Sequence, residues 1–453
     1  MTLQEKLFTT LSPTRLFVRC ALPSMVSMAV LSLYTVADGI FVGRYVGSAA
    51  LAAINLVMPL LLISFALVDL VAVGSSVQIS IRLGEQKPEE ASRIFSFCSM
   101  LILVLSCLIG LAGWFLARPA VRLMGADGQV TAMAVDYLRV YAMCSPAIMI
   151  FFALDNYLRI CGWVRYSMVL NVATALVNIA LDYFFLVVLR WGVGAAALAS
   201  CLSIALGTVL GFAPFLTGRL PLRLVRGGLP LGQLAGLLAN GSSEFFSSIA
   251  GSVLMLILNS VLLRLAGSMA VAAFSIVMYV DSIVGSLLYG MADSMQPAIS
   301  YNYGAGRRGR MFALEQRVMI AAAAVSIAAM AWMLLWGQHV IPLFIREDDP
   351  ALLDMSLRAM KLFSLSYLLG WVGTCLSSFF TALNRPGLSL TLAFSRTLIF
   401  PLLALAVLPG LVGLDGVWLT SAAAGVLTAA LAAVFLVGVI RREKGPASGL
   451  SDL

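Results

Sequence analysis

The sequence predicts an all-α integral membrane protein with twelve transmembrane helices in two repeated lobes of six helices each. Two observations predict this class. The chain has 453 residues, of which 61% are hydrophobic and only 11% are charged, a balance that no soluble globular domain needs. In addition, the stretch from Arg44 to Ala53 is repeated without a gap from Arg264 to Ala273, about 220 residues later.

The repeat extends well beyond that stretch. At the same offset Ser32 matches Ser252, Ala72 matches Ala292 and Gly84 matches Gly304. Both copies lie in strongly apolar sequence, so the repeated unit is a set of membrane helices. Paired membrane halves are typical of secondary transporters, whose substrate site lies between the repeats. The alternative is a gene duplication kept only for packing.

The individual helices follow from apolar runs, each long enough for the roughly 20 residues that a spanning helix needs. Charged breaks separate them, at Arg44, 82–90, 118–122, 159–165, Arg190, the long segment after 217, Arg264, 307–310, 346–349 and Arg385. The predicted spans are 16–42, 48–82, 92–117, 133–158, 166–189, 194–217, 240–264, 269–303, 312–336, 355–383, 388–409 and 416–440.

The distribution of basic residues predicts the topology. The stretch before the first span is polar and amphipathic and has no signal-peptide cleavage site. The first span is therefore expected to remain part of the mature protein. If the N-terminus is cytoplasmic, most of the arginines and lysines lie in the inner loops. The outer loops contain few basic residues and include the acidic run 347–349. The positive-inside rule then places both termini in the cytoplasm, with membrane lipids as partners.

A segment rich in arginine, proline and glycine divides the chain into two halves. We expect an N-terminal lobe at 1–218, a cytoplasmic linker at 219–239 and a C-terminal lobe at 240–453. The leucine and arginine content of the linker suggests a helix that lies on the inner membrane surface.

Several classes of function are excluded or disfavoured by composition. No phosphate-binding Gly-x4-Gly-Lys-Ser/Thr loop is visible, so ATP hydrolysis is not expected. The single histidine, His339, is expected in an outer loop, which leaves little for a catalytic pair or a metal site, and we expect neither an enzyme nor a bound cofactor. The seven scattered cysteines are interpreted as small core residues, and no basic stripe indicates nucleic acid.

Charged side chains within spans indicate ion pathways or substrate sites. Asp38 lies about 28 Å along a helix from Arg19, and Asp182 about 25 Å from Arg165, so the two carboxyls share a depth. Each has a polar neighbour one turn earlier on the same face, Tyr34 and Asn178 respectively. Two acids in apolar surroundings favour protonation of one another, which suits a site that takes up and releases a proton. The alternative is that each acid only fixes helix packing.

The other charges within spans are harder to interpret. Asp69, Asp281, Asp293 and the deep cation Arg396 are candidates for cavity lining, with structural pairing equally open. Asp281 and Asp293 point about 120° apart on one helix, so they need not share a site. Asp155 and Glu244 lie nearer the inner interface and are expected to be solvated. Pro23 interrupts the first span and is a candidate hinge, or a proline tolerated near a helix start.

Four segments resemble the multidrug and toxic compound extrusion (MATE) transporters, in the branch of DNA-damage-inducible protein F-like and staphylococcal-type multidrug exporters. They appear in the family's order and spacing over nearly the whole chain. The segments are Asp38-Gly39-Ile40-Phe41-Val42-Gly43 with Ala49-Ala50-Leu51-Ala52-Ala53, Asn178-Ile179-Ala180-Leu181-Asp182, 296–306 and 377–383.

The resemblance implies two six-helix lobes around a central cleft, in the inner membrane of a bacterial cell. It implies a monomer that exports amphipathic, often cationic drugs in exchange for protons or sodium ions. Proton-coupled members use positions that fall on Asp38, Tyr34, Asp182 and Asn178. A hydroxyl residue of the sixth helix would be Ser200, and the bending proline would be Pro23.

The chain also departs from the family pattern. The paired acids of the second lobe that another branch uses for sodium have no convincing match. The loop after span four reads Arg159-Ile160-Cys161-Gly162-Trp163-Val164-Arg165, without the expected asparagine. Three functions therefore compete: a proton-coupled or sodium-coupled drug exporter, a lipid-linked oligosaccharide flippase of the same superfold, and a membrane scaffold. A flippase would be expected to line its cleft with arginines for a pyrophosphate, whereas the deep charges here are mostly acids.

Overall fold

The computed structural model describes residues 3–124, 128–341 and 350–443. Within these ranges the chain is almost entirely helical. The acidic run 347–349 of the predicted outer loop and the C-terminal residues 444–453 lie outside the described residues. The helices are α1 Leu3–Thr10, α2 Pro13–Phe41, α3 Ser48–Gly84, α4 Pro88–Leu123, α5 Gly128–Ile160, α6 Val164–Asp182, α7 Val193–Leu216, α8 Leu231–Gly304, α9 Arg308–Val340, α10 Pro350–Ser364, α11 Gly370–Ala382, α12 Pro386–Phe394, α13 Phe400–Val412 and α14 Leu414–Glu443.

The helices are long and apolar enough to make this a multi-pass membrane protein. In the described part of the chain ten helices could cross a bilayer, and α10 with α11, bent by 42° at Leu369, would make an eleventh span. Helix α8 has 74 residues. At 1.5 Å per residue it would be about 110 Å long, far more than the roughly 30 Å of hydrocarbon in a bilayer. It has to be counted as two spans, and the expected total of twelve depends on that division.

Gly267 divides α8, with φ 72° and ψ −165°, values outside the helical region. The segments 231–266 and 268–304 are called α8a and α8b below. Gly47, its partner in the repeat, has φ 118° between α2 and α3. Positive φ at these values is readily adopted only by glycine. The two halves of the sequence repeat therefore make the same turn with the same residue.

The two lobes meet where α3 packs against α8, the most extensive contact between elements. A Cβ atom on Gly84 would lie 2.1 Å from the carbonyl oxygen of Tyr301, and one on Gly304 would lie 2.2 Å from that of Ile81. Ile81 and Tyr301 are themselves partners in the repeat, so the contact is nearly symmetric. Because Arg82 and Arg307 lie at this end, it is called the basic end here.

The linker is not the surface helix that its composition suggested. Residues 219–230 are not helical, and α8a begins at Leu231, within the predicted linker 219–239. Pro221, Gly227, Gly228 and Pro230 disfavour a helix there. The backbone is instead held against α4, where Ser92 Oγ accepts from the Arg223 amide at 3.2 Å and Ser96 Oγ accepts from the Val225 amide at 2.9 Å.

Two further predictions concern the positions of Pro23 and His339. α2 continues through Pro23, which is buried inside it, so the proline does not break the span in this structure. His339 lies in the last turn of α9 rather than in a loop, and its side chain is exposed. Its apolar helical context, with Trp336 and Val340, extends that helix beyond the predicted end of span nine at 336.

Candidate functional site

The two acids predicted at matched depth lie on adjacent helices, since α2 packs directly against α6. Asp182 is the last residue of α6 and is fully buried, whereas Asp38 is partly exposed. Each acid is followed by a π-helical segment, Val42–Val46 after Asp38 and Tyr183–Val188 after Asp182. Such segments are frequent at functional sites. Asp38 and Asp182 lie within electrostatic range of one another.

Asn178 links Asp182 to the next helix. In the amide orientation that satisfies both ends of the side chain, Nδ2 donates to Asp182 Oδ2 at 3.2 Å. The amide oxygen then accepts from both Oγ and the backbone N of Ser200, each at 3.1 Å. The structure thus brings together three residues that the sequence analysis named, on α6 and α7. The amide orients the carboxylate and leaves its second oxygen to other partners.

That second oxygen, Asp182 Oδ1, is buried and accepts no hydrogen bond from the described residues, and the same is true of Asp38 Oδ1. A buried acceptor without a donor costs about 1–3 kcal/mol. Binding a proton turns a carboxylate oxygen into a donor and removes its charge. A proton or another cation bound at this site would therefore stabilise these two carboxylate oxygens.

Tyr34 lies within electrostatic reach of both acids, as its position one turn before Asp38 suggested. Tyr137 on α5 is also near Asp38, Tyr34 and Asp182, and sequence reasoning missed it. One turn further along, the hydroxyl of Tyr141 is buried without a partner among the described residues. The signal available in the sequence was the pair Tyr137 and Tyr141, four residues apart and therefore on one face of the predicted span. Tyr34 and Tyr137 therefore place two phenol groups near the acid pair.

A second group of polar residues occupies the C-terminal lobe. Gln296 Nε2 donates to Asp293 Oδ1 at 3.1 Å and to Ser378 Oγ at 2.8 Å, and Ser378 Oγ lies 3.4 Å from Asp293 Oδ1. Ser300 Oγ also donates to the carbonyl of Ala382 at 2.8 Å. The segments 296–306 and 377–383, which carried part of the resemblance, therefore contact each other directly. Asp293 is held by neutral donors.

Arg396 lies in the π-helical segment Ser395–Ile399. It donates to Thr374 Oγ1 at 2.8 Å and to the Tyr289 hydroxyl at 3.0 Å, rather than to a carboxylate. Glu244 and Tyr289 line an adjoining cavity of about 490 Å³. Glu244 is therefore part of a cavity, where the sequence analysis expected solvent at the inner interface. The other lining residues are Ser247, Ser248, Gly251, Ser252, Met255 and Thr397.

The remaining acids have separate positions. Asp69 on α3 is within electrostatic range of Asp293 and Glu244, so it faces the second lobe across the interface. Asp281 accepts a hydrogen bond from the Tyr367 hydroxyl at 2.7 Å and stands apart from Asp293. Asp155 pairs with buried Arg159 at 2.5 Å and accepts from Asn171 at 2.8 Å, so the expectation that it is merely solvated is wrong. Depth along one helix did not reveal Asn171 and Tyr367, which come from other segments.

Comparison with known proteins gives a consistent result. The MatE family model matches residues 23–184 and 245–405, one match in each half. The multidrug export protein MepA of Staphylococcus aureus is 25% identical over 426 residues, covering 93% of this chain and 92% of that protein. A crystal structure of MATE in complex with MaL6 superposes with a TM-score of 0.91 at 25% identity, over 97% of this chain and 98% of that one. A crystal structure of MATE in the straight conformation gives 0.89 at 25% identity, over 96% and 97%.

Proposed function

We propose that this chain, which belongs to the MatE family, is a proton-coupled antiporter that exports lipophilic organic cations, with Asp38 and Asp182 as its coupling acids. The family membership and the resemblance to a multidrug export protein support export of small molecules. The acids of both lobes favour positively charged substrates. The N-lobe pair supplies the proposed link to protons.

The proposal depends on the surroundings of the two carboxylates. Each has one buried oxygen without a donor among the described residues, and the two acids lie within electrostatic range of one another. In an apolar span a carboxylate in that state is stabilised by any bound positive charge. A proton and an organic cation both meet that requirement, so they compete for the same pair. Competition of this kind is the simplest basis for exchange.

The geometry supports an order of events. With both acids ionised, the pair attracts a cationic substrate from the cytoplasmic side. Protonation from the outer side neutralises the acids and releases the substrate there. Asp38 lies on α2, which also contains Pro23, where a backbone hydrogen bond of the helix is lost. A change of charge at Asp38 can therefore bias the direction of α2, while Asn178 and Ser200 keep Asp182 in place.

Sodium coupling is a second candidate, because Glu244 and the serine hydroxyls line a cavity in the other lobe. Oxygen ligands of this type suit hard cations. Efflux measured in vesicles with proton and sodium gradients imposed separately distinguishes the two. We expect the proton gradient alone to drive efflux.

Substrate class has its own test. Overexpression in a drug-sensitive host should raise tolerance to several unrelated lipophilic cations and leave tolerance to anionic drugs unchanged. An oligosaccharide flippase would instead rescue a cell-wall precursor defect and raise tolerance to no drug. That result would replace the proposed function with the flippase.

A further inference from the structure

Three cavities meet at one residue on the basic end of the N-terminal lobe. Arg19 lines a groove of about 760 Å³ between α2 and α6, and two smaller cavities of about 200 and 180 Å³ between α1, α2 and the start of α6. The basic side chains lining this connected surface are Lys6, Arg15, Arg19 and Arg165. No acidic residue is among the described residues that line it. The surface therefore carries a concentrated positive charge that the protein itself does not neutralise there.

The large groove is apolar apart from Thr14 and its arginines. On α2 two rows of side chains run side by side at helical spacing, Arg15, Arg19 and Pro23 in one and Val18, Leu22 and Val26 in the other. The apolar row is exposed, at 51%, 57% and 40% respectively. Met168 and Arg165 of α6 form the facing wall. One end of the groove is charged and the other end is apolar, so a molecule that fills it has to be amphipathic.

The dimensions identify which amphiphile fits. From Arg15 to Val26 the groove runs about 16 Å along α2, close to the roughly 15 Å of one leaflet of a bilayer. Trp163 and Tyr166 line the cavity at the arginine end, as aromatic residues do at the level of lipid headgroups. Free cationic substrates would be repelled by the arginines. A phosphate ester on two acyl chains satisfies both ends of the groove.

We propose that this groove binds an anionic phospholipid from the leaflet at the basic end. The phosphate is held by Arg15, Arg19 and Arg165, whose guanidinium groups match its oxygens. An acyl chain lies along Val18, Leu22 and Val26, against Pro23. Arg15, Arg19 and Arg165 are all exposed, so a phosphate in the groove can reach their guanidinium groups. The lipid then lies across α2 and α6, the helices that hold Asp38 and Asp182.

The arginines alone could simply be topology signals, since basic residues are common on the cytoplasmic side. The linker provides a matched control at the same end, because Arg219, Arg223 and Arg226 are also exposed but line none of these three cavities. A specific site predicts that the groove arginines matter and the linker arginines do not. General attraction to anionic surfaces predicts that both sets matter equally.

The test uses the purified full chain in phosphatidylcholine nanodiscs that contain a small fraction of photoreactive phosphatidylglycerol. Crosslinks mapped by mass spectrometry should fall on residues 15–26 and 163–168 of the unaltered protein. The triple variant Arg15→Gln, Arg19→Gln, Arg165→Gln should weaken phosphatidylglycerol binding on the order of 100-fold, about fivefold for each arginine. The variant Arg219→Gln, Arg223→Gln, Arg226→Gln should bind as the unaltered chain does.

Four outcomes would overturn the proposal. Crosslinks that avoid the groove, or equal loss in the linker variant, would show only non-specific surface attraction. Displacement of the lipid by millimolar inorganic phosphate would indicate a free-anion site. If the triple variant fails to fold, Leu22→Trp fills the exposed apolar row without changing charge. It should abolish crosslinks to Met168, and unchanged crosslinking in that variant would also refute the lipid.

Discussion

Gly84 and Gly304 lie at equivalent positions of the two repeats, and each packs against the backbone of the other's helix, with the Cβ position 2.1 and 2.2 Å from a carbonyl oxygen. No side chain fits at that distance. The contact joins α3 to α8b at the basic end, and therefore joins the two lobes. Any movement of one lobe against the other that opens this end has to separate these glycines.

Gly84→Ala and Gly304→Ala should each destabilise the lobe contact by about 1–3 kcal/mol, the usual cost of overpacking. Thermal unfolding of the purified protein in detergent measures this. The double variant should lose little more than either single one, because one separation of α3 from α8b relieves both clashes. Gly309→Ala is the control, since a Cβ there meets nothing within 4 Å. Additive losses, or an equal loss in Gly309→Ala, would contradict the symmetric contact.

Ser200→Ala should reduce proton-driven efflux by about two- to tenfold, the value of one hydrogen bond. The loss is expected because Ser200 orients Asn178, which in turn holds Asp182. Ser203→Ala is the matched control on the same helix, because among the described residues its Oγ bonds only to the carbonyl of Ser200. Equal activities of the two variants in vesicles would show that the hydroxyl of Ser200 has no part in coupling.

The topology can be checked by labelling single cysteines. In a Cys107→Ser background, which removes the exposed native thiol, Lys87→Cys and Gly309→Cys should react in whole cells only with a membrane-permeant reagent. Gln129→Cys, at the opposite end, should react with an impermeant one. The expectation follows from the arginines near 82–93 and 307–310. Labelling of position 309 by the impermeant reagent in intact cells would reverse the orientation.

Glu244→Gln distinguishes the two coupling ions. If protons drive export through Asp38 and Asp182, this variant should keep proton-driven efflux, and a sodium gradient should drive none in either protein. Loss of a sodium-driven component on removal of the Glu244 carboxylate would instead assign coupling to the cavity of the second lobe.

Much of the architecture was predictable because repeats and apolar runs are properties of the chain alone. The repeat aligned Gly47 with Gly267, and both make a turn with positive φ. The pairing of Asn178 with Asp182 followed from helical spacing. Relations between distant helices were not predictable in this way. Tyr137 was missed because its neighbours Asp38, Tyr34 and Asp182 come from other helices. The cavity at Glu244 was missed because Tyr289 and Thr397, which also line it, come from distant parts of the chain.

The central claim is that Asp38 and Asp182 form one titrating unit that couples protons to export. The most direct measurement is drug efflux from proteoliposomes against an imposed pH gradient. Asp38→Asn and Asp182→Asn should each reduce proton-driven efflux to the level of protein-free vesicles while the protein still folds, because the amide keeps the volume but does not titrate. The double variant should match the single ones. Asp281→Asn, at an acid bonded to Tyr367, should stay active. Near-normal, pH-driven efflux by Asp38→Asn would contradict the account.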